Sequence, residues 1–341
     1  MTDLSRKLCF IFVHSRDLRK TKTNVDIAKT DYEASTFDLE SSINEVIYAV
    51  KSAYYNLLFA QKQIEVYKNT IEDFELQLKV AKKYFEIGKK PQIDVTIAEY
   101  NLGSAKLNLV KAINTLEVAR VSLANTMGLP AFANFELSET LPTYEYETDL
   151  ETLLQDAFRI RPDLLRQEKE VEAAYLNIRS AKRNYTPDLV ANGTYYRGKT
   201  DKTDESNFQV GIDLSYSGLN LAQIKKEHDI AKKAYEKALV DYESSKHSVY
   251  LDVKQSYINL SNTKSTVKQA EMNVAQAKEQ NYHATGRYNA GYGDAIELKD
   301  AENTYLNSQL EYYQALLEYN TEAANIERLV GRPLTVSENE L

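Results

Sequence analysis

Apolar residues return along this chain at alternating steps of three and four, with polar residues filling the gaps. Val50, Leu57, Ile64, Ile71, Leu78 and Phe85 stand seven apart, and Ala53, Ala60, Tyr67, Phe74 and Ala81 fill the position three further on. Such an a/d seam predicts a helix that supercoils against a partner rather than one lying on a globular core. After Gly88-Lys89-Lys90-Pro91 the pattern restarts as Val95, Ala98, Leu102, Ala105, Leu109, Ala112, Leu116, Ala119 and Leu123. Small residues at every other seam position let two antiparallel helices approach closely. The first helix is expected to start near Lys20, which makes it about 100 Å long at about 1.5 Å per residue. Val46–Leu123 thus reads as a coiled-coil hairpin.

The pattern occurs twice. A shift of 203 residues, the separation of Gly88 and Gly291, also lays Asp26-Ile27-Ala28-Lys29 on Asp229-Ile230-Ala231-Lys232 and Val50-Lys51 on Val253-Lys254. Ile93, Ala98 and Glu99 fall on Ile296, Ala301 and Glu302, and Gly128 and Pro130 fall on Gly331 and Pro333. About a quarter of the positions from Asn24 to Pro130 are identical under this ungapped shift, so the chain is a duplicated unit. Residues 18–140 form the first helical repeat, with its hairpin tip at 88–94. Residues 141–341 form the second, with its tip at 291–297.

The second repeat carries more than helices. A short helix is expected around Asp149–Ile160, and Pro162 restarts a helix that runs to about Asn184. Leu189–Arg197 reads as a strand and Gly198–Ser206 as a polar loop. Phe208, Val210, Ile212, Leu214 and Tyr216 then alternate with Gln209, Gly211, Asp213 and Ser215. This β-hairpin, 186–217, suits one crossing of a membrane β-barrel and equally a half-buried strand of a soluble sheet. Under the shift, Ser5–Val13 should match it, but Lys7 falls on the apolar face and Phe10 and Phe12 on the polar one. Residues 1–17 are therefore expected to be either foreign to the fold or a degenerate first-repeat strand. A false start, frameshift or truncation upstream would explain them.

Composition narrows the classes. Gly contributes 11 residues and Pro 6 of 341, and so few breakers favour long helices. The net charge of −8 is spread over interleaved acids and bases, as on a solvated coiled coil, and speaks against a nucleic-acid partner. The single Cys9 excludes an intrachain disulfide. No run approaches the 18 or so apolar residues of a membrane-spanning helix. Leu8–Val13 is too short for a signal-peptide core, and His14, Arg16 and Asp17 follow it, so the chain as given carries no signal peptide. His14, His228, His247 and His283 are scattered, and no phosphate loop, nucleophile elbow or dinucleotide fingerprint is present. Neither an enzyme, a metal site nor a cofactor is expected.

Taken together, the chain from about Asn24 to Pro333 resembles the TolC-type outer-membrane efflux protein family. The resemblance rests on Tyr84-Phe85-Glu86-Ile87-Gly88 followed by Ile93-Asp94-Val95 and Ala98-Glu99. It rests equally on Arg287-Tyr288-Asn289-Ala290-Gly291 followed by Ile296-Glu297-Leu298 and Ala301-Glu302, and on Arg161-Pro162-Asp163-Leu164 between them. It implies a mainly α protomer: long antiparallel coiled-coil helices in two tandem repeats form an α-barrel wall, and a β-hairpin joins a trimeric outer-membrane β-barrel. It also implies a homotrimer in outer-membrane lipid. A periplasmic adaptor would dock it on an inner-membrane pump, in tripartite efflux or type I secretion of small molecules, metals or proteins. One hairpin stands where the family has two, so three copies would supply six strands in place of twelve and leave open edges. A truncated copy is therefore expected. A soluble coiled-coil scaffold without transport activity is the competing reading.

By resemblance, Glu297 and Asp300 match acids that ring the narrow entrance of the tunnel, where six carboxylates around a three-fold axis would attract cations. Tyr288 matches a residue that tethers the inner helices of a closed gate. The tips Gly88, Lys89, Lys90, Gly291, Tyr292 and Gly293 match adaptor-docking turns. Phe208, Val210, Ile212, Leu214 and Tyr216 would face lipid. Plainer roles compete: Asp294 and Glu297 have capping-box spacing, Tyr288 lies on the seam, and the turns could be solvated loops.

Overall fold

The computed structural model of the chain describes residues 7–14, 18–130, 142, 144–147, 149–200, 203–215 and 220–340. In chain order the elements are β1 (Lys7–His14), α1 (Leu18–Glu86), α2 (Gln92–Thr126), β2 (Tyr144–Glu147), α3 (Leu150–Ile160), α4 (Pro162–Arg183), β3 (Asp188–Thr200), β4 (Thr203–Ser215), α5 (Leu221–Ala290), α6 (Ala295–Val330) and β5 (Thr335–Glu340). They divide into two compact units, Met1–Ser41 with Pro162–Ser248, and Ser42–Arg161 with Val249–Leu341.

The first unit holds a three-stranded antiparallel sheet in the order β1-β3-β4. The β3–β4 ladder runs from Asp188↔Ser215 to Thr200↔Thr203, so the strands extend well into the stretch read from the sequence as a polar loop. Alternation along β4 leaves Phe208, Val210, Ile212 and Leu214 each about 70% exposed on one face. Tyr216 lies outside the described residues. In the same unit Lys169 of α4 reaches Glu33 of α1 at 2.8 Å, and Arg166 stands 3.6 Å from Asp38.

Of the two readings of residues 1–17, the strand is the one that residues 7–14 take. Residues 7–14 are not foreign to the fold: they form β1 and pair with β3 from Lys7↔Gly198 to His14↔Ala191. The apolar pattern fails there, yet a strand ladder is made by backbone amides and carbonyls, and β3 offers an edge that side-chain alternation does not have to license. The sheet thus has three strands where the sequence showed one hairpin.

The second unit is built on the seams. All nine seam residues of α2, Val95 to Leu123, are buried or half-buried, while Tyr100, Leu107 and Val118 on other faces are exposed. α6 packs against both α2 and α3 and buries far more of its length than α2 does. Around it Leu58, Leu153, Ala157, Val253, Leu316, Tyr319 and Ile326 close the main core. Tyr319 is 1% exposed, and its hydroxyl accepts from the Tyr146 amide at 3.3 Å. Asp149 caps α3, accepting from the Thr152 amide at 3.0 Å. The closing Gly331-Arg332-Pro333 motif has a job: Gly331 ends α6, and Arg332 Nε donates to buried Asp156 Oδ2 at 2.6 Å. Among the described residues no helix is long and apolar enough to cross a membrane.

Candidate functional site

Both helix hairpins of the second unit turn by the same device. Gly88 and Gly291 sit at φ +69° and +87°, the left-handed region that glycine enters without Cβ strain. The Lys89 amide donates to the Tyr84 carbonyl at 2.8 Å, and the Tyr292 amide to the Arg287 carbonyl at 3.0 Å. The tips proper are 87–91 and 291–294, shorter than the spans read from the sequence, because α2 and α6 start at Gln92 and Ala295. At Gly293 a Cβ would stand 2.9 Å from the Tyr288 backbone nitrogen, so this turn has no room for a side chain.

The two tips are bound to each other. Tyr288, 3% exposed, donates its hydroxyl to Asp94 Oδ2 at 3.2 Å across the hairpins. Burial pushes the Tyr288 phenol up, and the neighbouring Asp94 charge adds to it, so this group stays a donor. Tyr84 donates back to the Asn289 carbonyl at 2.5 Å. Lys90 Nζ donates to the Gly293 carbonyl at 2.6 Å and lies 5.2 Å over the Tyr288 ring, while Lys89 lies 4.7 Å over the Tyr84 ring. Beneath these contacts Ala284, Tyr288, Ala295, Leu298 and Ala301 pack with Val80, Tyr84 and Ile97.

Of the three expected gate residues, Tyr288 makes the tether and Glu297 has another partner in one protomer. The Glu297 carboxylate pairs with Arg287, and Asp294 caps α6 by accepting from the Ile296 and Glu297 amides at 2.7 and 2.8 Å. Asp300 is exposed. The residues that complete the tether, Asp94, Tyr84 and Lys90, were not assigned gating roles from the sequence. A signal was there: under the 203-residue shift Asp94 is the counterpart of Glu297, and Lys90 of Gly293. Ile87, Ile93 and Ile296, which the sequence reading did not single out for docking, are exposed near the turns beside Tyr292, which it did. Among the described residues no group of three or more His, Cys, Asp or Glu could hold a metal.

The chain matches the family model described as "Outer membrane efflux protein" over residues 16–129 and 153–332. It is 23% identical over 300 residues to the toxin and drug export protein A of Aggregatibacter actinomycetemcomitans, covering 86% of this chain and 65% of that one. It is 23% identical to the outer membrane protein TolC of Vibrio cholerae, covering 96% of this chain and 76% of that one. The open-state MtrE outer membrane channel of Neisseria gonorrhoeae superposes with a TM-score of 0.80 at 17% identity, over 97% of this chain and 81% of that one. The chain thus spans about two thirds to four fifths of the proteins it matches.

Proposed function

The chain belongs to the outer membrane efflux protein family, and from that premise we propose that it is one protomer of a trimeric outer-membrane conduit whose periplasmic entrance is held shut at the paired helix tips. The observation that carries this reading is the cross-hairpin tether of Tyr288 to Asp94, Tyr84 to the Asn289 carbonyl and Lys90 to the Gly293 carbonyl. A wall of packed helices does not need three polar ties at its turns, whereas a gate does. The exposed face of Phe208, Val210, Ile212 and Leu214 on β4 faces lipid in this reading, and the cell outer membrane is the site of action. Transport is passive, with energy supplied by an inner-membrane pump reached through a periplasmic adaptor. Toxins and drugs, the cargo in the name of one relative, are the cargo class to test first.

Tyr288→Phe with Lys90→Ala removes two of the three ties, each hydrogen bond to a charged group being worth about 1.5–3 kcal/mol. Conductance in planar bilayers is expected to rise several-fold, and wild-type conductance would remove the gate from this reading. Glu297 and Asp300 are proposed to line the entrance of the assembled trimer. Glu297→Ala with Asp300→Ala should weaken block by divalent cations at least tenfold, and unchanged block would dismiss that role.

The tips are proposed to dock the adaptor. Lys89→Glu with Lys90→Glu places carboxylates against the Tyr84 and Tyr288 ring faces and the Gly293 carbonyl. Site-specific crosslinking to an adaptor should fall sharply; an unaltered yield counts against docking at these turns.

A further inference from the structure

One buried acid takes no part in the tether. Glu302 of α6, 5% exposed, lines a half-open cavity of about 600 Å³ between α1, α5 and α6. Its Oε1 is buried without a hydrogen-bond partner, and so is Oδ1 of Asn281 in the same cavity. Both orphans are acceptors, and leaving them unmade is costly unless a donor arrives. Asp73 of α1 lines the cavity too, and Phe74, Tyr282 and Tyr305 add aromatic wall.

The duplication shows what is missing. The first-repeat counterpart of Glu302 is Glu99, which Lys82 neutralises at 3.1 Å. The counterpart of Lys82 is Thr285, also on the cavity wall. The second repeat has kept the acid and lost its base.

We propose that this cavity is a binding site for an organic ammonium ion, whose charged head takes the place of the absent lysine against Glu302 and whose apolar body lies on the aromatic wall. The volume suits a small organic molecule rather than a bare metal ion. Two carboxylates with one amide oxygen are also a thin ligand set for a hard divalent cation. Carboxylate plus ring faces is the chemistry that recognises alkylated or arylated amines.

Burial, with the charge of Asp73, pushes the Glu302 carboxyl up to about 8, so near neutrality the site holds a proton that the incoming ammonium displaces. The other titratable groups on the cavity are Tyr84 of α1, Lys278 and Tyr282 of α5, and Tyr305 of α6. Asp94 of α2, Tyr288 of α5 and Lys299 of α6 share an adjoining crevice with Glu302. Lys278 is the cation on the cavity itself and is exposed. Binding therefore strengthens as pH rises toward about 8.

Calorimetric titration of benzylammonium chloride into the purified full chain tests this, with benzyl alcohol as the neutral control and magnesium chloride as the metal control. Saturable benzylammonium binding with proton release is expected at about pH 8, weaker by roughly fiftyfold at about pH 6, where a group titrating at about 8 is almost fully protonated. Glu302→Gln should weaken binding at least tenfold and remove its pH dependence. Thr285→Lys, which installs a tethered ammonium, should abolish binding, while Thr285→Val should retain it. Absent binding, equal affinity for benzyl alcohol, displacement of the amine by magnesium, or an unaltered Thr285→Lys titration would each overturn the site. Thr285→Lys decides the matter even if Glu302→Gln proves hard to fold.

Discussion

Glu302→Gln is expected to make the chain more heat-resistant than wild type by a margin that grows from about pH 5 to about pH 8, while the two match only at about pH 4 and below. The sign follows from the proton. The folded-state carboxyl titrates at about 8, far above its ordinary value of 4.5, because burial disfavours the charge and Asp73 repels it. Below the unfolded value both states hold the proton, and the buried neutral acid costs little. As pH rises from there toward 8 the unfolded chain loses its proton first, and stability falls by up to about 1.4 kcal/mol per pH unit. The total loss is on the order of a few kcal/mol. Glutamine keeps the shape and has no proton to lose. Thermal unfolding followed by circular dichroism at about pH 5.5, 7 and 8.5 reads this directly. Parallel declines of wild type and variant would mean that Glu302 is not the group responsible.

The second large effect is expected at Asp156→Ala, with a loss of about 2–3 kcal/mol of stability. Asp156 is 9% exposed and accepts from Arg332 Nε at 2.6 Å and from Arg159 at 2.9 Å, so one carboxylate of α3 holds the chain just after α6 ends. Removing it leaves the Arg332 guanidinium without its carboxylate partner. That side chain keeps about a third of its surface in water, so the cost stays below that of a fully buried pair. A double-mutant cycle with Arg332→Met isolates the pair: the double variant should be more stable than Asp156→Ala alone, since the half-buried Arg332 charge is then gone and the exposed Arg159 stays in water. Strict additivity would show that the two side chains do not interact.

The helices were legible because a heptad seam is a property of spacing along one chain. Leu57, Ala60 and Ala105 lie in the interior where the pattern put them. The glycine turns were legible too, since Gly88 and Gly291 stand where each seam stops and take the positive φ that other residues avoid. β1 was legible only as one of two alternatives, because strand pairing needs only backbone and a neighbouring edge, and its sequence carries no clean alternation. Glu297 was legible as an acid but not as the partner of Arg287 ten residues earlier, a pairing that depends on how tightly the turn between them closes.

By itself, then, the amino-acid order determined the duplication, the seams, the turns and the family resemblance, all of which are read from periodicity and from one constant shift. Tertiary structure alone decided the partners. Tyr288 meets Asp94 across 194 residues, Lys90 reaches the carbonyl of Gly293, its own counterpart in the other repeat, and Glu302 faces a cavity where Glu99 faces a lysine. Two copies of one sequence pattern pack side by side, and a side chain's charge and hydrogen bonds are completed by whatever the other copy presents. No spacing rule along a single repeat contains that information.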